Sequence, residues 1–232
     1  MDPGQRTGYD GLRQPAAVDT TATFSTAGTY VLQLSGSDGE LTASDTVQVT
    51  ASAARSATLD SRVTTSTGDV EESATGSYAA TSTDLELVYD GSNQKVGIRF
   101  PGLAIPAGAT ITKAYVQFEA DETQSEATNL TIKGQAADNA LAFSSATKPS
   151  TRATTAASAT WAPAPWTLVG EVGPNQRTPD LAAVIQEIVS RAGWTSGNAL
   201  ALIITGTGHR TTRAYDGKPA GAPLLHVEYT LG

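Results

Sequence analysis

The chain has 232 residues, no cysteine, 16% charged and 6% aromatic residues, and a net charge of −8 at neutral pH. Without cysteine there is no disulfide frame, thiolate metal site or thiol nucleophile, and mild acidity shared between residues 1–55 (−3) and 56–232 (−5), with no clustered lysine or arginine, excludes phosphate-directed nucleic-acid binding. No apolar run reaches the roughly 18 residues of a membrane span, and low charge with many small, β-tolerant residues marks a chain that folds.

In chain order, the opening MDPGQRTGYDG has no basic region followed by an apolar one, so it does not read as a secretion signal; the chain is expected to be a piece of something longer or a gene read from an internal start. Its length suits two domains. Residues 20–50 read as a β-meander. Thr29-Tyr30-Val31-Leu32-Gln33-Leu34 alternates with period 2, residues 37–40 (SDGE) supply a turn, and Thr46-Val47-Gln48-Val49-Thr50 alternates again. Ala22-Thr23-Phe24-Ser25, Gly28-Thr29-Tyr30, the Ser37-Asp38-Gly39 turn and Asp45-Thr46-Val47-Gln48-Val49 together resemble the C-terminal half of a PKD domain, an immunoglobulin-like sandwich of bacterial extracellular proteins. The resemblance implies a partial sandwich over residues 1–50.

Residues 51–57 (ASAARSA) read as a small-residue linker. Strands are then expected over 83–89, 96–100, 111–118, 130–132, 166–169, 200–204 and 224–229, separated by Gly-, Pro- and Asn-rich turns. That spacing indicates a β-sandwich or jelly roll over residues 58–232. One amphipathic helix interrupts them: Thr178 is the expected cap, Pro179 the first helical position and Asp180 the dipole partner. Leu181, Val184, Ile185 and Ile188 form its apolar stripe, and Gly193 its stop.

The order of motifs is similar to the jelly-roll modules of the DNRLRE type. The matching stretches are Asp84-Leu85-Glu86-Leu87-Val88, Val96-Gly97-Ile98-Arg99-Phe100, residues 105–111 (IPAGATI), Thr160-Trp161 before the helical segment, and the Pro-led last strand at 223–229 (PLLHVEY). The literal DNRLRE string is absent. The resemblance implies a non-catalytic module of a secreted or cell-surface, multi-domain bacterial protein. Its partners would be a polysaccharide or other glycan, alginate among those bound by some members, and other domains of a longer parent chain.

Between Val63 and Gln94 lie Asp69, Glu71, Glu72, Asp84, Glu86 and Asp90 with no lysine or arginine. Mutual repulsion of these carboxylates points to a structural calcium ion, which accepts six to eight oxygens without strict geometry; the other reading is a solvated acidic face. Glu71, Glu119, Asp121, Glu122 and Asp138 supply enough acids for a glycosidase pair, but no spacing selects two of them. Neither His209 nor His226 has a G-x-S-x-G partner, and His226 alternates as a strand-face residue.

Residues 207–218 (TGHRTTRAYDGK) gather His209, Arg210, Arg213, Tyr215, Asp216 and Lys218 on one loop. Cations beside an aromatic ring suit an acidic or hydroxyl-rich glycan, and the alternative is a polar hairpin balancing the acidic region. In WAPAPW (161–166) the two prolines hold the tryptophans in fixed directions. Trp166 is assigned to the core and Trp161 is a candidate sugar platform beside His209, Arg210, Arg213, Tyr215 and Asp216. The resulting expectation is a non-catalytic, calcium-stabilised glycan binder; the alternatives are a structural or adhesive spacer and a fragment of a polysaccharide-degrading enzyme.

Overall fold

The computed structural model describes residues 9–12 and 20–232; residues 1–8 and 13–19, with most of the MDPGQRTGYDG stretch and part of the PKD-like segment, lie outside the described residues. Strand accounts for 44% and helix for 9%, and the class is all-β. The chain divides into two compact units between Arg55 and Ser56.

In the first unit β1 (Tyr9–Leu12) pairs antiparallel with β2 (Ala22–Phe24). β3 (Gly28–Ser37) and β4 (Thr42–Ala51) form a long antiparallel hairpin. Its turn is closed by Asp38, whose Oδ1 accepts the N–H groups of Glu40 and Leu41 at 3.0 and 2.8 Å. That carboxylate replaces the carbonyl acceptors the reversing backbone has lost. The alternating residues Leu32, Leu34 and Val47 share one face, with Leu32 opposite Val47; Leu34 and Val47 are largely exposed there.

The second unit opens within β5 (Arg55–Arg62), which starts inside the expected linker and leaves only residues 52–54 between strands. Ala57 and Leu59 pack inward, which is why a small-residue stretch becomes strand. β6 (Asp69–Glu72) and β7 (Tyr78–Ala79) follow. The next elements are β8 (Asp84–Glu86), β9 (Tyr89–Asp90), β10 (Ser92–Asn93), β11 (Lys95–Phe100), β12 (Thr110–Gln117), β13 (Asn129–Gln135) and β14 (Thr154–Trp161). Helix α1 (Ala182–Val189) precedes β15 (Leu200–Thr207), β16 (Thr211–Arg213) and β17 (Leu224–Leu231). The sequence reading merged β8 and β9 into one strand and placed a strand at 166–169, where there is only a single bridge between Trp166 and Gln124.

A six-stranded sheet, β14-β13-β15-β11-β6-β7, faces a three-stranded one, β12-β17-β5. Val96, Ile98, Phe100, Leu130, Ile132, Leu202 and Ile204 of the large sheet meet Ala114, Val116, Leu225 and Val227 of the small one in a single core. β15 is apolar on both faces, the mark of a strand buried on both sides: Ala201 and Ile203 enter a second cluster with Val70, Ala140 and Phe143.

Helix α1 packs against β12, β13 and β14 through Val184, Ile185 and Ile188, and so bridges the two sheets along one side. Its expected start is corrected. Thr178 Oγ1 accepts the Val116 N–H, and Asp180 Oδ1 accepts the N–H of Ala182 at 2.9 Å, so Asp180 serves the first helical N–H. The helix approaches β13 so closely that a Cβ built on Gly134 would lie 2.6 Å from Ile188 Cδ1.

Candidate functional site

The WAPAPW segment leaves the end of β14, where Trp161 lies opposite Leu130. Trp161 is only 6% exposed and stacks on Phe118 with ring centroids 5.7 Å apart and planes 9° apart. Trp166 is fully buried and its Nε1 donates to the Asn175 carbonyl. Both rings therefore face the core, and the expected sugar platform at Trp161 is corrected. Trp194 is buried too, its Nε1 donating to Ile105.

Arg210 explains the path between the two rings. It is 1% exposed; Nη2 and Nε donate to the carbonyls of Pro163 and Ala164, while Nη1 serves Glu126, Thr128 and the Arg210-adjacent His209 carbonyl. A buried guanidinium is tolerated because its donors meet oxygens on several sides, and those carbonyls in turn have no other strand to pair with. Arg210 is thus a clamp on the 161–166 segment, and its assignment to ligand contact is also corrected.

The other residues of 207–218 divide in the same way. Arg213 Nη1 is ion-paired with Asp121 and its Nε lies 3.9 Å from Glu119, which also receives Lys218 Nζ at 2.6 Å. Tyr215 is half-buried against the core and donates its N–H to Asp69; Asp216 is exposed and accepts from Ser66 Oγ. The close approach of this loop to the 83–84 segment requires glycine at 217, where a Cβ would sit 2.0 Å from the Thr83 carbonyl.

His209 is half-buried at the start of the loop and gathers a polar cluster. Gln124 Oε1 accepts the Thr211 N–H at 2.6 Å, which orients its amide nitrogen toward the His209 ring (3.2 Å), Thr211 Oγ1 (2.7 Å) and Glu122 Oε2 (2.9 Å). Tyr89, 42% exposed on the β9–β10 hairpin, meets the imidazole edge-on with centroids 6.2 Å apart. Thr211 Oγ1 lies 3.2 Å from His209 Nε2, a hydroxyl beside an imidazole. It is not poised as a nucleophile: Thr211 is 1% exposed and its hydroxyl also bonds Gln124 and Glu122.

The six carboxylates expected as one calcium set are dispersed, and among the described residues no three His, Asp or Glu side chains converge on a common point. Glu71 lies buried with Oε1 accepting from the Glu86 N–H and Gln94 Nε2, both at 2.8 Å; burial, then the neighbouring Glu86 carboxyl, push its pKa far up. Glu72 is buried as well, but the Ser150 hydroxyl and N–H and the Lys148 ammonium at 3.3 Å outweigh that burial and hold its carboxyl below the usual range. Asp84 accepts from Ser82 and stands opposite Arg213 across the β8–β16 pair, Glu86 is half-buried beside Glu71, and Asp90 is exposed next to Tyr89. The physical reason is strand alternation: Asp69 and Glu71 point to one side of β6 and Glu72 to the other.

Of the acids considered for hydrolysis, Glu71 is interior, Asp138 pairs with Arg191 at 2.6 Å, and Glu119 and Asp121 are held by Arg213. Burial raises the Asp121 pKa against the pull of Arg213, with Asp84, Glu122 and Glu119 adding to the rise. A cavity of about 80 Å³ bounded by Arg62, Glu119, Val172 and Leu224 has room for a few waters only and is smaller than a sugar-binding pocket. His226 stacks on Tyr115 across β17 and β12, with centroids 4.7 Å apart, and binds Asp60 through Nδ1.

Sequence reasoning missed Tyr89 and Gln124, and considered Glu122 only as an acid for hydrolysis and not as a neighbour of His209. The signal for Tyr89 was present in Tyr89-Asp90-Gly91-Ser92-Asn93, a hairpin turn that lifts its flanking side chains into solvent; nothing in the sequence marks Gln124. Compared with models of known protein families and with curated proteins, the chain matches none.

Proposed function

We propose that the second unit is a non-catalytic glycan-binding module of a secreted or cell-surface protein, and that it binds through the surface formed by Tyr89, His209 and Glu122, with the buried Gln124 orienting the latter two. The observation that carries this reading is the exposed Tyr89 ring beside a mutually oriented imidazole, amide and carboxylate. A sugar ring stacks its C–H face on an aromatic ring while its hydroxyls exchange hydrogen bonds with fixed polar groups, and held side chains lose little entropy on binding. The resemblance of the strand motifs to DNRLRE-type modules, and of residues 22–49 to a PKD segment, supports the same reading.

Charge refines the ligand. The loop cations Arg210, Arg213 and Lys218 are engaged by carbonyls or carboxylates, the exposed Asp90 adjoins Tyr89, and Glu122 belongs to the polar cluster on His209. The surface therefore suits a neutral, hydroxyl-rich glycan better than a uronate polymer.

Affinity electrophoresis against neutral and acidic polysaccharides tests the proposal. Retardation by a neutral glycan is expected, with Tyr89→Ala weakening it about tenfold, near 1.4 kcal/mol. Migration unaffected by every polysaccharide would favour the spacer, and release of reducing ends would favour a catalytic fragment.

A further inference from the structure

We propose that the segments 66–69 and 214–216 form a calcium site whose side-chain ligands are the carboxylates of Asp69 and Asp216. This goes beyond the glycan surface, shares no residue with it, and differs from the six-carboxylate set that the structure disperses.

Asp69 opens β6 directly after a tight turn at Ser66–Gly68 and sits opposite Ile98 in the large sheet. Its side chain is 3% exposed. Oδ2 accepts the Tyr215 N–H at 2.8 Å, while Oδ1 is buried without a hydrogen-bond partner among the described residues. A buried carboxylate oxygen facing no donor is costly, and native structures seldom leave one unless an ion or water completes it. The charge acting on Asp69 makes matters worse, because it is the like-signed carboxylate of Asp216. Asp216 is carried to this place by the loop that Gly217 lets close on Thr83, and its Oδ1 accepts from Ser66 Oγ at 2.9 Å. Two segments far apart in sequence thus bring the Asp69 carboxylate, with its unpaired oxygen, against the loop that carries Asp216 and its Ser66 partner.

A bound cation resolves both the unpaired oxygen and the repulsion. The donor set is all oxygen, with no imidazole or thiolate, which selects a hard ion. Calcium accepts carboxylates together with backbone carbonyls and water in flexible geometry, whereas magnesium demands near-ideal octahedral positions.

The full chain is melted at pH 7 in EDTA and in 1 mM CaCl2, with 1 mM MgCl2 as a separate arm, and calcium is titrated calorimetrically. Calcium is expected to raise the midpoint by about 5 °C, magnesium by much less, and the titration to show binding. Asp69→Asn keeps the shape and removes the buried charge, so it should fold and lose the calcium response. Asp216→Asn, on the exposed loop, provides the comparison if Asp69→Asn does not fold, and should weaken calcium binding at least tenfold. No calcium shift in the unaltered chain, or a shift that survives in these variants, overturns the proposal. Because glycan retardation is read separately, either conclusion can fail without the other.

Discussion

Two buried charges define the second unit at the scale of single residues, and they behave oppositely. Arg210 donates to the carbonyls of Pro163 and Ala164, so removing it strands both acceptors at once. Arg210→Met is expected to cost about 3 kcal/mol in urea unfolding, because the carbonyls of Pro163 and Ala164 lose their donors inside the protein. Arg210→Lys should fall between, since one ammonium cannot reach the same spread of oxygens. A loss under about 0.5 kcal/mol for the methionine variant would show that the clamp is dispensable. Glu71 is the reverse case, a carboxyl whose burial favours its proton. Its folded pKa lies above the unfolded value, so the stability it contributes is fully present below about pH 4.5, the ordinary glutamate range, and is lost as pH rises toward the folded pKa. Glu71→Gln keeps the acceptor for Gln94 and Glu86 without the charge. It should flatten the fall in melting midpoint between pH 5 and 8 and raise stability at pH 8 by about 1 kcal/mol or more. An unchanged pH profile would mean that Glu71 titrates as an ordinary surface acid.

Single elements show why some parts of the fold could be read in advance. Helix α1 was legible because Leu181, Val184, Ile185 and Ile188 recur at helical spacing, and these residues do face the core. Its start was misread because Thr178 and Asp180 are both good caps, and the competing bond from Val116 to Thr178 arises only in the folded structure. β14 was not legible: residues 154–160 are Thr, Ala and Ser, with no apolar alternation, and it is strand because β13 and α1 cover it. The contact between helix and sheet rests on the absence of a side chain at Gly134. Gly134→Val is expected to lift α1 from β13 and cost about 1–3 kcal/mol of stability, measured by denaturant unfolding. A neutral result would show that Ile188 has room to rotate away.

For the whole molecule, the sequence supported the all-β class and the succession of strands, because period-2 alternation and turn residues are local signals. Which side chains share a surface is a non-local property, and there the reading failed in a consistent way. Trp161 and Arg210 look like ligand contacts when aromatic and cationic residues are counted along the chain, yet each is committed to the interior by a partner distant in sequence, Phe118 and the 163–164 carbonyls respectively. Tyr89 and Gln124 show the same effect from the other side, since they belong to separate elements that only the fold brings to His209.

The three-stranded sheet places β17 at its centre, with β5 on one flank and β12 on the other. The strand the ribosome makes last in this unit is therefore the one that the first strand needs as its neighbour, and Leu225 and Val227 complete the core from it. β5 must wait through the synthesis of nearly the entire unit before its backbone finds a partner. Such long-range closure delays cooperative folding until after β17 has emerged, so a nascent chain stalled anywhere earlier is a substrate for chaperones and proteases rather than a smaller version of the native module.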